Sequence, residues 1–461
     1  MTSFLAKDRI IAPPSYNRWL VPPAALAIHL SIGMAYGFSV FWLPLSRDSG
    51  WKVSTLGVMY SLFFIFLGSS AAIFGRWVER EGPRTAGVVA ALCWGGGFFI
   101  SALGVYRHQL PLLWLGSGVI GGCGLGLGYI SPVSTLIKWF PDRRGMATGM
   151  AIMGFGGGAM IGSPLADMLM RHYATASGAG VWQTFVTLGV IYMAAMLCGA
   201  FGYRLPPPGW QPAGWTPPPP EQRGMITTRN VHVEVAWRTP QFWLLFIVLC
   251  MNVSAGIGVI GMASPMLQEV FGGKLIGVSG TLTDMTADQR AQVATLGAGF
   301  AALLSLFNIA GRIFWASLSD YLGRKRTYFI FFTLGTLLYA FAPTAGRLGS
   351  VALFVGIFCV ILTMYGGGFA TIPAYIADLF GTRFVGAIHG RVLLAWSAAG
   401  VLGPQLINNI REYRIAHGVP AAEAYNSVMY ILAGLLVIGF VANLAVRPVA
   451  ERYYMTEEVF R

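Results

Sequence analysis

Apolar residues fall in long runs, each near twenty residues, broken by short polar or Gly/Pro-containing turns. Twelve runs stand out, at approximately 20–44, 54–75, 85–105, 111–137, 144–170, 181–203, 241–266, 292–317, 327–343, 351–377, 385–407 and 425–446. A helix needs about 20 mainly apolar residues to cross a bilayer, and within lipid its backbone bonds must close inside the segment. The pattern predicts an all-α membrane protein with twelve transmembrane helices. The one long polar gap near the middle, 204–240, contains PPPGWQPAGWTPPPPEQRG, whose prolines cannot continue a helix. It predicts a solvated linker between six-helix bundles at 20–203 and 241–446, with tails at 1–19 and 447–461.

The two halves repeat. At an offset of 241, Glu79 meets Asp320, Gly82 meets Gly323, Pro132 meets Pro373, Gly145 meets Gly386 and Gly149 meets Gly390. Near the start of each half the offset is 221, pairing Gly37 with Gly258 and Pro44 with Pro265; the extra residues fall in a polar loop at 268–290. Parallel six-helix repeats are the ground plan of a large class of secondary transporters.

Composition supports a lipid-facing surface. Hydrophobic residues are 55% of the 461 and charged residues 11%, against about 25% charged in soluble domains. That excludes a cytosolic enzyme, a disordered chain and a disulfide scaffold. The net charge of +13 would point to nucleic acid in a soluble protein. Here the basic residues sit between apolar runs, as in the inward loops of membrane proteins, so no nucleic-acid partner is expected. With both termini cytoplasmic, 21 of the 31 basic residues fall inside. That predicts a multi-pass protein of the cell (inner) membrane with cytoplasmic ends, working as a monomer. Cys93, Cys123, Cys198, Cys250 and Cys359 all lie within apolar runs and read as buried packing residues. There is no metal-ligand cluster, nucleophile–base set or nucleotide-binding segment. The expectation is therefore no cofactor, no enzymatic chemistry, and transport driven by gradients.

The loop after run two carries Gly75, Glu79, Gly82 and Arg84; the loop after run eight carries Ala316, Asp320, Gly323, Arg324 and Lys325. Each places an acid four residues after a small residue and a glycine three later. The small residue allows close helix approach, the acid suits a basic partner or a helix N-terminus, and the glycine permits a tight turn. Together they predict a latch that closes the cytoplasmic face in one state.

These loops resemble the cytoplasmic signature of the major facilitator superfamily, and the resemblance covers nearly the whole chain. A narrower resemblance, to the oxalate/formate antiporter family with its bacterial monocarboxylate carriers, rests on four motifs. They are Thr239-Pro-Gln-Phe-Trp243, Ala263-Ser-Pro265, Asn308-Ile-Ala-Gly-Arg312 and Gly403-Pro404.

Arg312 carries the most information. An arginine at membrane depth costs at least about 2.5–3.5 kcal/mol and usually marks a functional cavity. No acid shares run eight before Asp320. A guanidinium grips a carboxylate with two hydrogen bonds, and Asn308 lies one turn earlier on the same face. In the family resembled, the arginine at this motif position binds substrate. That family's oxalate antiporter also has a lysine in run eleven, where this chain has Trp396. One cation balances one carboxylate, which favours a monocarboxylate such as lactate, pyruvate or formate. Oxalate remains open because His389 and Arg391 stand nearby.

Tyr36, Trp42, Tyr129, Tyr365 and Trp396 are candidate pathway aromatics. Tyr129 and Tyr365 are favoured because they precede Pro132 and Pro373 in runs four and ten, which line the central cavity in the superfamily. No central Asp or Glu offers a proton relay, since Asp167 and Asp378 lie near run ends. His29, deep in run one, is the titratable candidate for proton coupling; without it, anion-for-anion exchange is the natural mechanism. The glycines of runs four and five predict close helix packing. The expected function is alternating-access transport of a small carboxylate, with a proton or counter-anion. An oxalate/formate exchanger, a drug or sugar carrier, and a non-transporting sensor on the same fold are the alternatives.

Overall fold

Twelve helices long and apolar enough to cross a membrane form among the described residues. The structure is a computed structural model, and it describes residues 4–51, 53–175, 178–216, 225–281 and 284–455. The first half contributes α1 (Val21–Ile32), continued by a tighter 3₁₀ stretch over Gly33–Phe41, then α2 (Val53–Glu81) and α3 (Pro83–Tyr106). It ends with α4 (Gly122–Trp139), α5 (Arg144–Tyr173) and α6 (Val181–Gly202). The second half contributes α7 (Pro240–Phe271), α8 (Ala287–Leu322), α9 (Arg324–Arg347) and α10 (Val351–Phe380). The eleventh span is broken into α11 (Val385–Val392) and α12 (Leu394–Ala416), and α13 (Ala421–Ala445) closes the fold.

Local sequence explains the starts. Thr239 caps α7, with its side chain accepting from the Phe242 amide and a proline following at the first helical position. Thr286 and Gln289 form a reciprocal capping box on α8. Such caps satisfy amides that have no partner inside the helix. Pro132, Pro164, Pro265, Pro343 and Pro373 lie within helices; membrane helices tolerate them because neighbouring elements and local adjustments meet the freed carbonyls.

Within the first half α3 packs on α6, α2 on α4 and α1 on α5; within the second, α8 packs on α10 and α9 and α7 on α13. Across the halves, the main contacts run α5 to α8 and α2 to α11. The two junctions are related by the internal repeat, since Gly145 and Gly149 open α5 as Gly386 and Gly390 lie in α11. The N-terminal tail, the linker and the C-terminal tail meet one face, called here the linker face. Leu205 donates to the Ile10 oxygen at 2.8 Å and Ala12 to the Leu205 oxygen at 2.9 Å. Thr227 donates to the Asp378 oxygen and Val231 to the Phe380 oxygen at the end of α10, and Met455 donates to the Asn230 oxygen. The proline-rich centre of the linker, 217–224, lies outside the described residues. Three of the five cysteines depart from the expected burial. Cys250 and Cys359 are buried, Cys93 and Cys123 are half-buried and Cys198 is exposed on α6, because an outward-facing position in lipid needs only an apolar side chain.

Candidate functional site

Arg312 sits midway between the halves and is fully buried. Its Nε donates to Asn308 Oδ1 at 3.2 Å on α8, and its Nη1 donates to the Ile152 oxygen of α5 at 3.0 Å. Nη2 has no partner. The helical spacing of four places Asn308 where it orients the fork. The guanidinium carbon lies 5.9 Å from the Phe155 ring and 5.6 Å from the Phe369 ring, an attractive placement for a cation beside aromatic faces. Asp320, the acid of its own helix nearer in sequence, is taken up elsewhere: it pairs with Arg324 at 2.6 Å. Among the described residues no carboxylate forms an ion pair with Arg312.

An aromatic cage surrounds this charge and draws on both halves. The Tyr36 and Tyr365 hydroxyls meet at 3.3 Å. Trp396 packs against Phe369 at 4.4 Å, Tyr129 at 5.3 Å and Phe155 at 5.4 Å between ring centres. A side chain on Gly256 would run into the Tyr365 ring, so that glycine makes room for it. The Tyr129 hydroxyl and the Trp396 Nε1 are buried without partners, as is Arg312 Nη2. All three are able to donate a hydrogen bond, and a buried donor left unmade carries a penalty of about 1–3 kcal/mol. The Trp42 side chain lies outside the described residues.

His29 is held differently. Its Nδ1 lies 2.5 Å from the Ala151 oxygen of α5 and its Nε2 3.3 Å from the Tyr129 oxygen of α4. Both nitrogens are turned to main chain, so the ring ties α1 to α4 and α5. The consecutive carbonyls of Ala151 and Ile152 thus receive His29 and Arg312.

On the linker face two acids clamp the halves in matching ways. Glu79 Oε1 accepts from the Gly386 amide at 2.9 Å and its Oε2 from Lys138 at 2.5 Å. Asp320 accepts from the Gly145 and Met146 amides at 2.8 and 2.9 Å. Arg144 pairs with Asp378 at 2.9 Å and Arg324 with Asp378 at 3.1 Å. Acids at helix N-termini are favoured by the dipole and by free amides. A Cβ on Gly75 would stand 2.7 Å from the Ala387 Cα, so the backbones touch there. Gly82 and Gly323 adopt φ of 93° and 83°, a turn that needs glycine. Arg84 and Lys325 do not join the clamp, contrary to expectation. Arg84 reaches the Phe4, Phe201 and Tyr203 oxygens, and Lys325 the Leu444 and Val446 oxygens at the end of α13. Each basic residue after the turn starts its own helix and points at a neighbouring helix end within its half.

The sequence profile of the Major Facilitator Superfamily matches residues 24–404. The chain belongs to this superfamily. It is 26% identical over 391 residues to the oxalate:formate antiporter of Oxalobacter formigenes, covering 84% of this chain and 83% of that one. It is 26% identical over 416 residues to monocarboxylate transporter 4 of Rattus norvegicus, covering 87% and 80%. Among solved structures it superposes on the superfamily transporter FucP in the outward conformation with a TM-score of 0.63, at 12% identity, covering 93% and 99%.

As a member of the Major Facilitator Superfamily the chain is a membrane transporter, and no enzymatic chemistry is asked of its site. The structure brings Arg312, Asn308, Tyr36, Tyr129, Tyr365 and Trp396 into one cluster, and Gly75, Glu79, Gly82, Asp320, Gly323 and Arg324 to the linker-face junctions. Phe155, Phe369 and Gly256 were missed by sequence reasoning; phenylalanines and glycines abound in every run and carry no spacing signal of their own. Arg391, weighed as a second cation near the site, pairs with Glu234 at 2.6 Å on the linker side.

Proposed function

We propose that the chain moves a small monocarboxylate across the cell membrane by alternating access, the anion binding at Arg312 Nη2 with Tyr129 and Trp396 as further donors. The supporting observation is a buried guanidinium with a free donor and no protein counter-ion among the described residues. A buried charge needs a partner, and a carboxylate supplies one. The names of the relatives, an oxalate:formate antiporter and a monocarboxylate transporter, agree with this class of cargo. The single cation in the cage favours one carboxylate per cycle over a dianion.

The linker face is assigned to the cytoplasm on the distribution of Lys and Arg. On this reading the Glu79 and Asp320 contacts with the Gly386, Gly145 and Met146 amides serve to hold that side shut. Transport then requires these amide–carboxylate bonds to part while the halves rock about the site. Anion-for-anion exchange, including oxalate for formate, is the second reading, favoured by the antiporter relative.

The test is uptake of labelled lactate, pyruvate, formate and oxalate into proteoliposomes, with and without preloaded anion. Saturable uptake of a monocarboxylate that is lost in Arg312→Ala supports the proposal. Uptake of a neutral sugar but no carboxylate rejects it.

A further inference from the structure

We infer that His389 is the group that takes up a proton when the anion binds, making this carrier a proton–carboxylate symporter. The inference rests on the reading of Arg312 as the anion site. His389 lies in α11 and is 1% exposed, and among the described residues neither ring nitrogen has a hydrogen-bond partner. A buried imidazole normally satisfies at least one nitrogen, as His29 does against the Ala151 oxygen. The ring is 5.9 Å from Tyr129, which itself contacts Trp396. His389 therefore sits one aromatic residue from the proposed carboxylate, on the linker side of the cage. It belongs to the second half while Tyr129 belongs to the first, so relative motion of the halves changes what its nitrogens meet.

The groups around it are already committed. On α2, Glu79 is held by Lys138 and the Gly386 amide. On α10, Asp378 is held by Arg144 and Arg324. Glu234, in the short helix Val233–Ala236, is held by Arg391 of α11 itself. Glu269 on α7 pairs with Arg411 on α12, and Glu412 and Arg414 lie in the same distal turns of α12. On α4 the ring faces Tyr129, and His29 of α1 is the titratable group packed against the same tyrosine. Among the described residues, then, no carboxylate pairs with His389. A proton on this ring is stabilised only by an anion brought into the cage.

Charge arithmetic gives the consequence. The empty cage carries the single positive charge of Arg312. An anion alone neutralises it. An anion with a proton on an imidazole nitrogen restores one positive charge, so the empty and loaded forms cross the same electrostatic barrier. The proton comes from water on one side and leaves to water on the other, and no covalent bond to the substrate forms or breaks.

The experiment uses the full chain in liposomes enclosing a pH-sensitive dye, with whichever of the four carboxylates is carried. One coupled proton makes a pH step of one unit worth about tenfold in accumulation, because each unit is about 1.4 kcal/mol. Wild type is expected to acidify the lumen as substrate enters and to accumulate it down an inward proton gradient. In His389→Gln, the ratio of gradient-driven accumulation to counterflow exchange should fall to near one-tenth of wild type, while His29→Gln keeps the wild-type ratio. His389→Asn gives the same reading should the glutamine variant not fold. One further measurement needs no variant: adding the carboxylate to wild type in weakly buffered detergent should remove about one proton from solution per protein. Carboxylate transport with no proton movement, or a wild-type ratio in His389→Gln, overturns the inference while leaving the anion site standing. Absence of carboxylate transport in folded wild type overturns both.

Discussion

Arg312 on α8 donates to the main-chain oxygen of Ile152 on α5, 3.0 Å away across the junction between the halves. The buried charge is therefore shared by both moving parts, and one donor on it stays free. Arg312→Ala should weaken carboxylate binding by about 2–5 kcal/mol, at least thirtyfold, as for other buried charge pairs cut on one side. Arg312→Lys keeps the charge but loses the fork, and should bind far more weakly than wild type. Tryptophan-fluorescence titration in detergent reads both; unchanged affinity in Arg312→Ala removes the residue from the site.

Tyr129→Phe separates binding from stability. Its hydroxyl is buried and has no partner among the described residues, so removing it should leave thermal stability equal or slightly raised. Losing a donor to the anion should weaken affinity by about 1–1.5 kcal/mol, roughly five- to thirteenfold. A drop in melting temperature without a change in affinity would place the hydroxyl in packing instead.

Glu79→Gln and Asp320→Asn should each loosen one junction of the linker face, by about 1–3 kcal/mol for a charged acceptor lost from backbone amides. A reporter cysteine at Ser134, which is buried beside Gly386, should then react faster with a polar thiol reagent added from the linker side, in a background lacking the five natural cysteines. Labelling at the wild-type rate in the double variant would show that these acids do not hold the face shut.

Gly390→Ala tests the close approach at the α2–α11 junction. The new methyl would run into the Ala71 carbonyl oxygen, backbone that cannot turn aside. Overpacking of this kind destabilises by about 1–3 kcal/mol, and should lower the melting temperature of the detergent-solubilised protein and bias it away from the closed linker face. Gly434→Ala, where nothing lies within 4 Å of an added Cβ, is the control.

The Glu234–Arg391 pair fastens the linker to α11. The Arg391 guanidinium holds the Glu234 carboxyl below its ordinary range, chiefly through their hydrogen bond. A lowered carboxyl adds stability above its unfolded pKa, about 4.3, and loses it as pH falls through the lowered value. The Glu234 side chain is 43% exposed, so solvent screening keeps the pair below about 1 kcal/mol. Glu234→Gln should lower the melting temperature slightly at pH 7 and match wild type once the carboxyl is protonated.

Much of the linker-face junction was legible in the sequence. The spacing shared by Gly75–Glu79–Gly82 and Ala316–Asp320–Gly323 marks a duplicated turn, and the same offset links Gly145 to Gly386, the amides those acids grip. The basic residues that follow were not legible. Arg324 turns into the junction while Arg84 and Lys325 turn to helix ends, because each follows the nearest unpaired carbonyl or carboxylate, which only packing supplies. The same holds for the two deep histidines. As residues in apolar runs His29 and His389 look alike; main-chain carbonyls face the nitrogens of one, and no hydrogen-bond partner among the described residues faces those of the other.

Hydrophobic periodicity, the 241-residue repeat and the placement of charges by themselves determined twelve spanning helices, two related halves and one arginine stranded in apolar surroundings, since each follows from local composition and the cost of polar groups in lipid. Which rings surround that arginine and that Asp320 is not its partner were decided by tertiary structure alone, because they depend on helices far apart in sequence meeting across the junction of the halves.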